Sequence, residues 1–349
     1  MTPISELGEF GLIRRLTEGF SPKNASTLLG PGDDCAVLQC EENSARRLLL
    51  TSDMLMEGIH FDLVYSPLKH LGYKAAMVNF SDVYAMNGMP RQLLVNIAVG
   101  RKMGVEHLDE LYSGLRLACD RHGVDLVGGD TSSSLTGLAL SLTCIGECSE
   151  ESIAYRSGAK ETDLICVSGN LGAAYMGLQL LEREKQIFAS QPESDVAAQP
   201  DFGGKEYLLE RFLKPEARRD IIEALKKAGI KPTAMIDVSD GLSSELLHLC
   251  QQSGCGVRIY EERLPLDYQT AVTAEELNMN VTTCALNGGE DYELLFTVPL
   301  SMHDRIAAID DVREIGYVTR NELGACLIAR GSGEEIELKA QGWQAFGKK

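Results

Sequence analysis

Leu138, Leu140, Leu142 and Cys144 alternate with smaller or polar residues, the period of a strand buried on one face. Apolar strand-like runs also occupy 46–53, 92–100, 124–130, 164–169, 255–260 and 293–298. Helical patterns fall between them. Ser66-Pro67 reads as an N-cap and first helical residue ahead of a helix over 68–86. Further helices fit 106–123, ending at Gly123, then 173–184, 216–229 and 243–254. The polar stretch 184–206 reads as a mobile surface loop, and a short tail closes the chain. Strands and helices alternate in both halves, so the expected class is mixed α/β. The polar segment 148–163 places a domain boundary near 150, giving domains 1–149 and 150–349.

The 349 residues exceed one typical core, which agrees with two domains. The N-terminal residues carry charges where a signal peptide needs an apolar run. No stretch nears the roughly 18 uncharged apolar residues of a membrane span. The ten cysteines are scattered without a CxxC pair, and they read as reduced core residues of a cytoplasmic protein. A formal charge of −18 argues against nucleic acid as a partner.

Charge changes the picture most through where the acids stand. Asp33 and Asp34 follow a Gly-Pro-Gly turn and precede an apolar run. Asp53, beside Thr51 and Ser52, follows an apolar strand, and is either a cap or a ligand. Leu71, Ala75, Val78, Asp82 and Met86 share one helix face, so Asp82 sits on an apolar stripe. An inward carboxylate there needs either a basic partner or a metal. Asp130 ends the strand at 124–130 after two glycines. Asp237, Ser239 and Asp240 stand where a strand yields to a helix, and one of the last two fits an N-cap. Glu290 and Asp291 follow Gly288-Gly289 and precede a strand.

One design therefore recurs: an acid at an element junction beside Gly, Ser or Thr. Hard oxygen donors of this kind suit Mg2+ shared with substrate phosphates. Zinc spacing is absent, as are a Walker A motif and the protein-kinase signatures. Phosphate chemistry here would rest on metal ions in place of a glycine-loop-and-lysine cradle.

The motifs "GEFGLIRRL", "GPGDDCAVL", "TSDMLMEGIHF", "NFSDVYAMNGMP", "GGDTSSS", "DVSDGL" and "NGGEDYELLF" resemble, in order, the thiamine-monophosphate kinase family. That family lies in the aminoimidazole ribonucleotide synthetase-like superfamily, and "GWQAF" is similar to its final aromatic segment. The resemblance implies a two-domain fold whose N-terminal sheet forms a dimer barrel, hence a homodimer. It implies transfer of the ATP γ-phosphoryl group to thiamine monophosphate, the last step to thiamine diphosphate. By motif, Asp34, Thr51, Ser52, Asp53, Asp82, Asp130, Asp237 and Asp240 would hold several Mg2+ ions. Gly129, Asp130, Arg156 and Ser239 would meet ATP, and His60, Glu290 and Trp343 the thiamine monophosphate. Asp33 is left to hold the turn or back the ligand.

No residue is expected to act as acid, base or nucleophile. A phosphate-monoester acceptor has a second pKa near ~6 and is already ionised at neutral pH. The difficulty is to bring two polyanions together, which cations bridging the phosphates overcome. Arg156 is either a phosphate partner or a surface residue of a polar linker. Trp343, the single tryptophan, either packs in the core or stacks on the acceptor's cationic rings. The rivals are a sister synthetase of the superfamily, such as aminoimidazole ribonucleotide or selenophosphate synthetase, and a non-catalytic acidic binder. The pairing of "TSDMLMEGIHF" with "NGGEDYELLF" favours the kinase.

Overall fold

A computed structural model describes residues 7–19, 22–39, 44–190 and 202–342. Its first half runs α1 (Gly8–Thr17), β1 (Thr27–Leu29), β2 (Ala36–Gln39), β3 (Arg46–Met56), α2 (Leu68–Ala85), β4 (Met89–Gly100), α3 (Val105–His122), β5 (Asp125–Ser134) and β6 (Ala139–Ser149). These strands form one sheet in the order β1-β2-β3-β6-β4-β5, antiparallel except for the parallel β4–β5 pair that α3 connects. The second half runs β7 (Leu164–Ser168), α4 (Ala173–Ser190), α5 (Glu206–Leu213), α6 (Arg219–Ala228), β8 (Ala234–Asp237), α7 (Leu242–Ser253), β9 (Cys255–Tyr260) and α8 (Tyr268–Glu276). It continues through α9 (Val281–Asn287), β10 (Leu294–Val298), α10 (His303–Ile306), β11 (Val312–Arg320), β12 (Ala325–Ile328) and β13 (Glu335–Glu337). The second sheet has the order β13-β12-β9-β11-β7-β10-β8. The architecture is mixed α/β, as the alternation of elements predicts.

The alternating run over 138–144 is borne out, with Leu140, Leu142 and Cys144 buried on one face of β6 and Leu138 buried just before it. Gly123 closes α3 in the left-handed region, as read. Other expectations change. Pro67, not Ser66, is the N-cap of α2, and no side chain caps that end. Part of the expected loop over 184–206 is helical, because α4 continues to Ser190 and α5 begins at Glu206. Lys185 ties that last stretch of α4 to Asp62 at 2.6 Å. Residues 191–201 lie outside the described residues. The expected tail contains β11, β12 and β13. A register shift between Glu314 and Gly316 breaks the alternation of β11, which hides it from a period-2 reading.

Helix α2 positions the site. It packs on β3, β4 and β6 of the first sheet and on β8 of the second, and it is buried on nearly every side. The apolar stripe is corrected accordingly. Leu71, Ala75 and Met86 are fully enclosed, whereas Val78 and Asp82 line a cavity. Helix α3 comes close enough to α2 that a Cβ on Gly114 would lie 1.9 Å from the Lys69 carbonyl oxygen. Only glycine permits that approach. One apolar core runs continuously from Cys35 and Phe80 to Leu225 and Phe296, so the two sheets share an interior through α2 and α6. A second core, including Ile236, Leu246 and Val257, lies around the C-terminal sheet and α7.

Candidate active site in the cleft between the sheets

A cavity of about 970 Å³ opens between the two halves, walled by β3, α2, the turn after β8, the C-terminal half of α7 and the 287–292 segment. Helix α1, which carries "GEFGLIRRL", adds Glu9, Phe10, Ile13 and Arg14 to the wall. Strand alternation decides which way the β3 triplet points. Thr51 and Asp53 face α2, and the Thr51 hydroxyl donates to Asp82 Oδ2. Ser52 turns the opposite way, its hydroxyl donating to the Leu142 carbonyl at 2.9 Å and lying 3.1 Å from Thr143 Oγ1.

Asp237 ends β8 and is buried, accepting a hydrogen bond from Ser81 Oγ at 2.6 Å. Asp34, also buried, accepts from Arg156 Nη2 at 2.6 Å. One carboxylate oxygen from each of Asp34, Asp82 and Asp237 lies within 4.8 Å of the others. The adjacent acids at 33 and 34 thus divide their work. Asp33 holds the turn, its carboxylate accepting from the backbone N–H of Asp34 at 3.0 Å and of Arg156 at 3.2 Å.

So many acids in one cleft disturb one another. Burial, reinforced by the Asp34 charge, pushes the Asp33 carboxyl up to about 7 and Asp237 also to about 7. Burial pushes Asp53 to about 6, and burial together with Glu9 pushes Asp240 to about 6. Asp82 is driven well above the usual carboxylate range by burial and then by Asp53, Asp237 and Asp34. Opposing charge comes from Arg156. Two buried acceptors, Asp34 Oδ2 and Asp53 Oδ2, have no hydrogen-bond partner among the described residues. Orphaned carboxylate oxygens among clustered acids fit a divalent cation, and a set with only oxygen donors fits Mg2+.

Two family models match the chain: AIR synthase related protein, N-terminal domain, over residues 32–148, and AIR synthase related protein, C-terminal domain, over residues 163–324. The thiamine-monophosphate kinase of Aquifex aeolicus is 35% identical over 343 residues, covering 98% of this chain and 99% of the relative. That of Bacillus subtilis is 32% identical, covering 97% and 100%. The solved structure "AaThiL complexed with AMPPCP and TMP" superposes with a TM-score of 0.81 at 34% identity, covering 99% of both chains. The chain belongs to the thiamine-monophosphate kinase family.

Most residues that the resemblance to thiamine-monophosphate kinases singles out meet in this cavity. Asp34, Thr51, Ser52, Asp53, Asp82, Arg156, Asp237, Ser239 and Asp240 line it, as do His60 and Glu290 at its other end. Arg156 is therefore no linker residue on open surface. Neither Ser239 nor Asp240 caps α7, whose N-cap is Gly241 at φ 116°. Gly129 and Asp130 are not among the lining residues. Asp130 does not end its strand but lies exposed within β5, which continues to Ser134. The row Asp53–Leu142–Val95–Gly129 crosses three strand spacings, or about 14 Å, which separates β5 from the acid cluster. Trp343 lies outside the described residues, although Gln341 and Gly342 line the cavity.

The motif reading passed over two residues. Ser81 orients Asp237 from the position just before Asp82. Lys74, buried on α2, donates to Glu290 Oε2 at 2.7 Å. At that same end His60 has its pKa lowered by burial, and its Nδ1 accepts from the Met56 N–H at 3.0 Å. Tyr65, Tyr175 and Phe212 add aromatic rings to the wall at this end, with the Tyr65 and Phe212 rings 6.5 Å apart and the Lys74 ammonium over the Phe212 ring.

Proposed function

We propose that this chain transfers the γ-phosphoryl group of ATP directly to the phosphate of thiamine monophosphate, giving thiamine diphosphate and ADP. The observation that carries the reading is one cavity with two unlike ends: Asp34, Asp82 and Asp237 at one, aromatic rings with His60 and Glu290 at the other. Family membership and the structure of the relative with AMPPCP and TMP support the same reactants. Asp34, Thr51, Ser52, Asp53, Asp82, Asp237 and Asp240 would hold Mg2+. Ser52 would do so through its backbone, since its hydroxyl is bonded to β6. Bound Mg2+ supplies charge neutralisation between the two phosphates.

The residues do the rest by position and charge. Thr51 and Ser81 orient the carboxylates of Asp82 and Asp237. Arg156, which pairs with Asp34, presents a guanidinium suited to phosphate oxygens, and Ser239, in the same cavity wall, would meet the nucleotide with it. His60, Glu290, the aromatic wall and Trp343 receive the cationic two-ring acceptor. The acceptor phosphate is its own nucleophile, so no protein base is required.

Gly129 and Asp130 rest on the resemblance alone as ATP and metal contacts. Division at 149/150 follows the two sheets. A homodimer through the first sheet, closed as a barrel, is supported by the exposed strand β5, with Leu126 and Val127 half in solvent. Among the described residues no helix is long and apolar enough to cross a membrane. A cytoplasmic location is the reading that fits the reduced cysteines, eight of nine described ones being buried.

The test is ADP release with ATP, Mg2+ and each acceptor in turn. Thiamine monophosphate is expected to support turnover at least about 100-fold faster than free thiamine, which lacks the ionised phosphate that bridging cations would hold in line with ATP. Faster turnover with free thiamine, or none with the monophosphate, overturns the assignment.

A further inference from the structure

We propose that Lys74 is a positioning residue for the acceptor: it reaches from α2 across the cleft and holds the Glu290 carboxylate where it meets thiamine monophosphate. This rests on the reading above of Glu290 as an acceptor contact. Lys74 is 4% exposed, and its ammonium makes two hydrogen bonds and a cation–π contact. Nζ donates to Glu290 Oε2 at 2.7 Å and to the Phe212 carbonyl at 3.1 Å, and lies 4.1 Å from the centroid of the Phe212 ring. A lysine so completely engaged has one orientation. Among the described residues the Glu290 side chain is held by Lys74 alone, and it remains 30% exposed within the cavity wall.

The backbone around Glu290 has the marks of a functional segment. Glu290 and Tyr292 adopt φ of 58° and 51°, a region that costs non-glycine residues free energy, and Gly289 beside them stands at 72°. The Glu290 N–H is held at 2.6 Å by the carbonyl of Ser239, on the nucleotide side of the cleft. The strained turn directs the Glu290 side chain back toward α2, where Lys74 receives it.

A purely stabilising ion pair is the competing account. Buried pairs are weak contributors to stability, because desolvation offsets their attraction and an apolar pair of similar volume serves as well. An apolar pair would leave the cavity without a fixed carboxylate. The placement on α2 also matters. Lys74 and Asp82 stand eight residues apart, about 12 Å along one helix. That is the order of the length of a phosphorylated two-ring acceptor, so one rigid element spaces its two ends.

The experiment compares Lys74→Met, Lys74→Arg, Glu290→Gln and the double variant by KM for each substrate, with thermal melting alongside. Lys74→Met is expected to raise KM for thiamine monophosphate about 10-fold or more and to leave KM for ATP within about twofold. Lys74→Arg should recover part of the loss. The double variant should be no worse than Glu290→Gln, because the lysine acts through that carboxylate. An unchanged acceptor KM in Lys74→Met, equal losses for both substrates, or additive losses in the double variant overturn the positioning role. An unchanged acceptor KM in Glu290→Gln overturns the reading of Glu290 itself, a failure seen in that single variant without reference to Lys74. Should Lys74→Met not fold, Lys74→Gln, whose neutral and shorter side chain keeps a polar group in the buried site but loses the charge and reach toward Glu290, carries the same comparison with the same outcomes.

Discussion

Asp82→Asn is expected to leave the fold intact and to lower Mg2+-dependent turnover by about 10²–10³-fold, the usual effect of removing one preorganised electrostatic contact. Asp82 lies at the centre of the acid cluster. Thr51 donates to one of its oxygens, and Asp34, Asp53 and Asp237 all act on its charge. Asparagine keeps the volume and can still accept from Thr51. It removes a carboxylate whose burial, without a cation, is unfavourable. The melting temperature of the metal-free protein should therefore be unchanged or higher, while turnover collapses and excess Mg2+ recovers only part of it. Full activity at ordinary Mg2+ would make Asp82 a structural residue.

The second large effect is a reversal of stability with pH. Asp33 and Asp237 titrate at about 7 in the folded chain, and Asp53 and Asp240 at about 6, against an ordinary value of 3.8. Between those limits the folded chain holds protons that the unfolded chain has lost. Their contribution to stability is thus fully present below 3.8, falls progressively above it, and is lost once pH has risen through 6 to 7. The metal-free protein is expected to melt at a lower temperature at pH 8 than at pH 6. Mg2+ binds the deprotonated carboxylates, so its stabilising effect should be larger at pH 8. Differential scanning calorimetry with and without Mg2+ checks both. A metal-free melting temperature that rises from pH 6 to pH 8, or an equal gain from Mg2+ at both, would contradict the cluster as described.

Much of this site was legible because its acids stand beside Gly, Ser or Thr, a local pattern that needs no knowledge of the fold. Asp34, Asp237 and Asp240 do sit at element junctions, whereas Asp53 lies within β3, which runs on to Met56, and Asp82 within α2. Alternation alone placed β6. What stayed hidden depends on contacts distant in sequence or on broken periodicity. Lys74 reads as an ordinary helix lysine until its partner, 216 positions away, comes beside it. Arg156 and Asp34 are separated by 122 positions, so the linker reading of Arg156 stood open until the fold closed it. β11 escaped because its bulge disrupts the period, and the stripe on α2 misled because that helix is enclosed by two sheets. Asp130 illustrates the opposite error. Its glycines looked like the end of a strand, yet β5 runs through them along an exposed edge.

The most direct measurement is a rapid-quench single turnover with ATP labelled at its γ-phosphorus, Mg2+ and thiamine monophosphate. The label is expected to pass to thiamine diphosphate in one phase, matched by ADP formation, with none bound to protein at any time. Label retained on the protein, or released only as inorganic phosphate, would contradict direct transfer between two substrates held in this cleft.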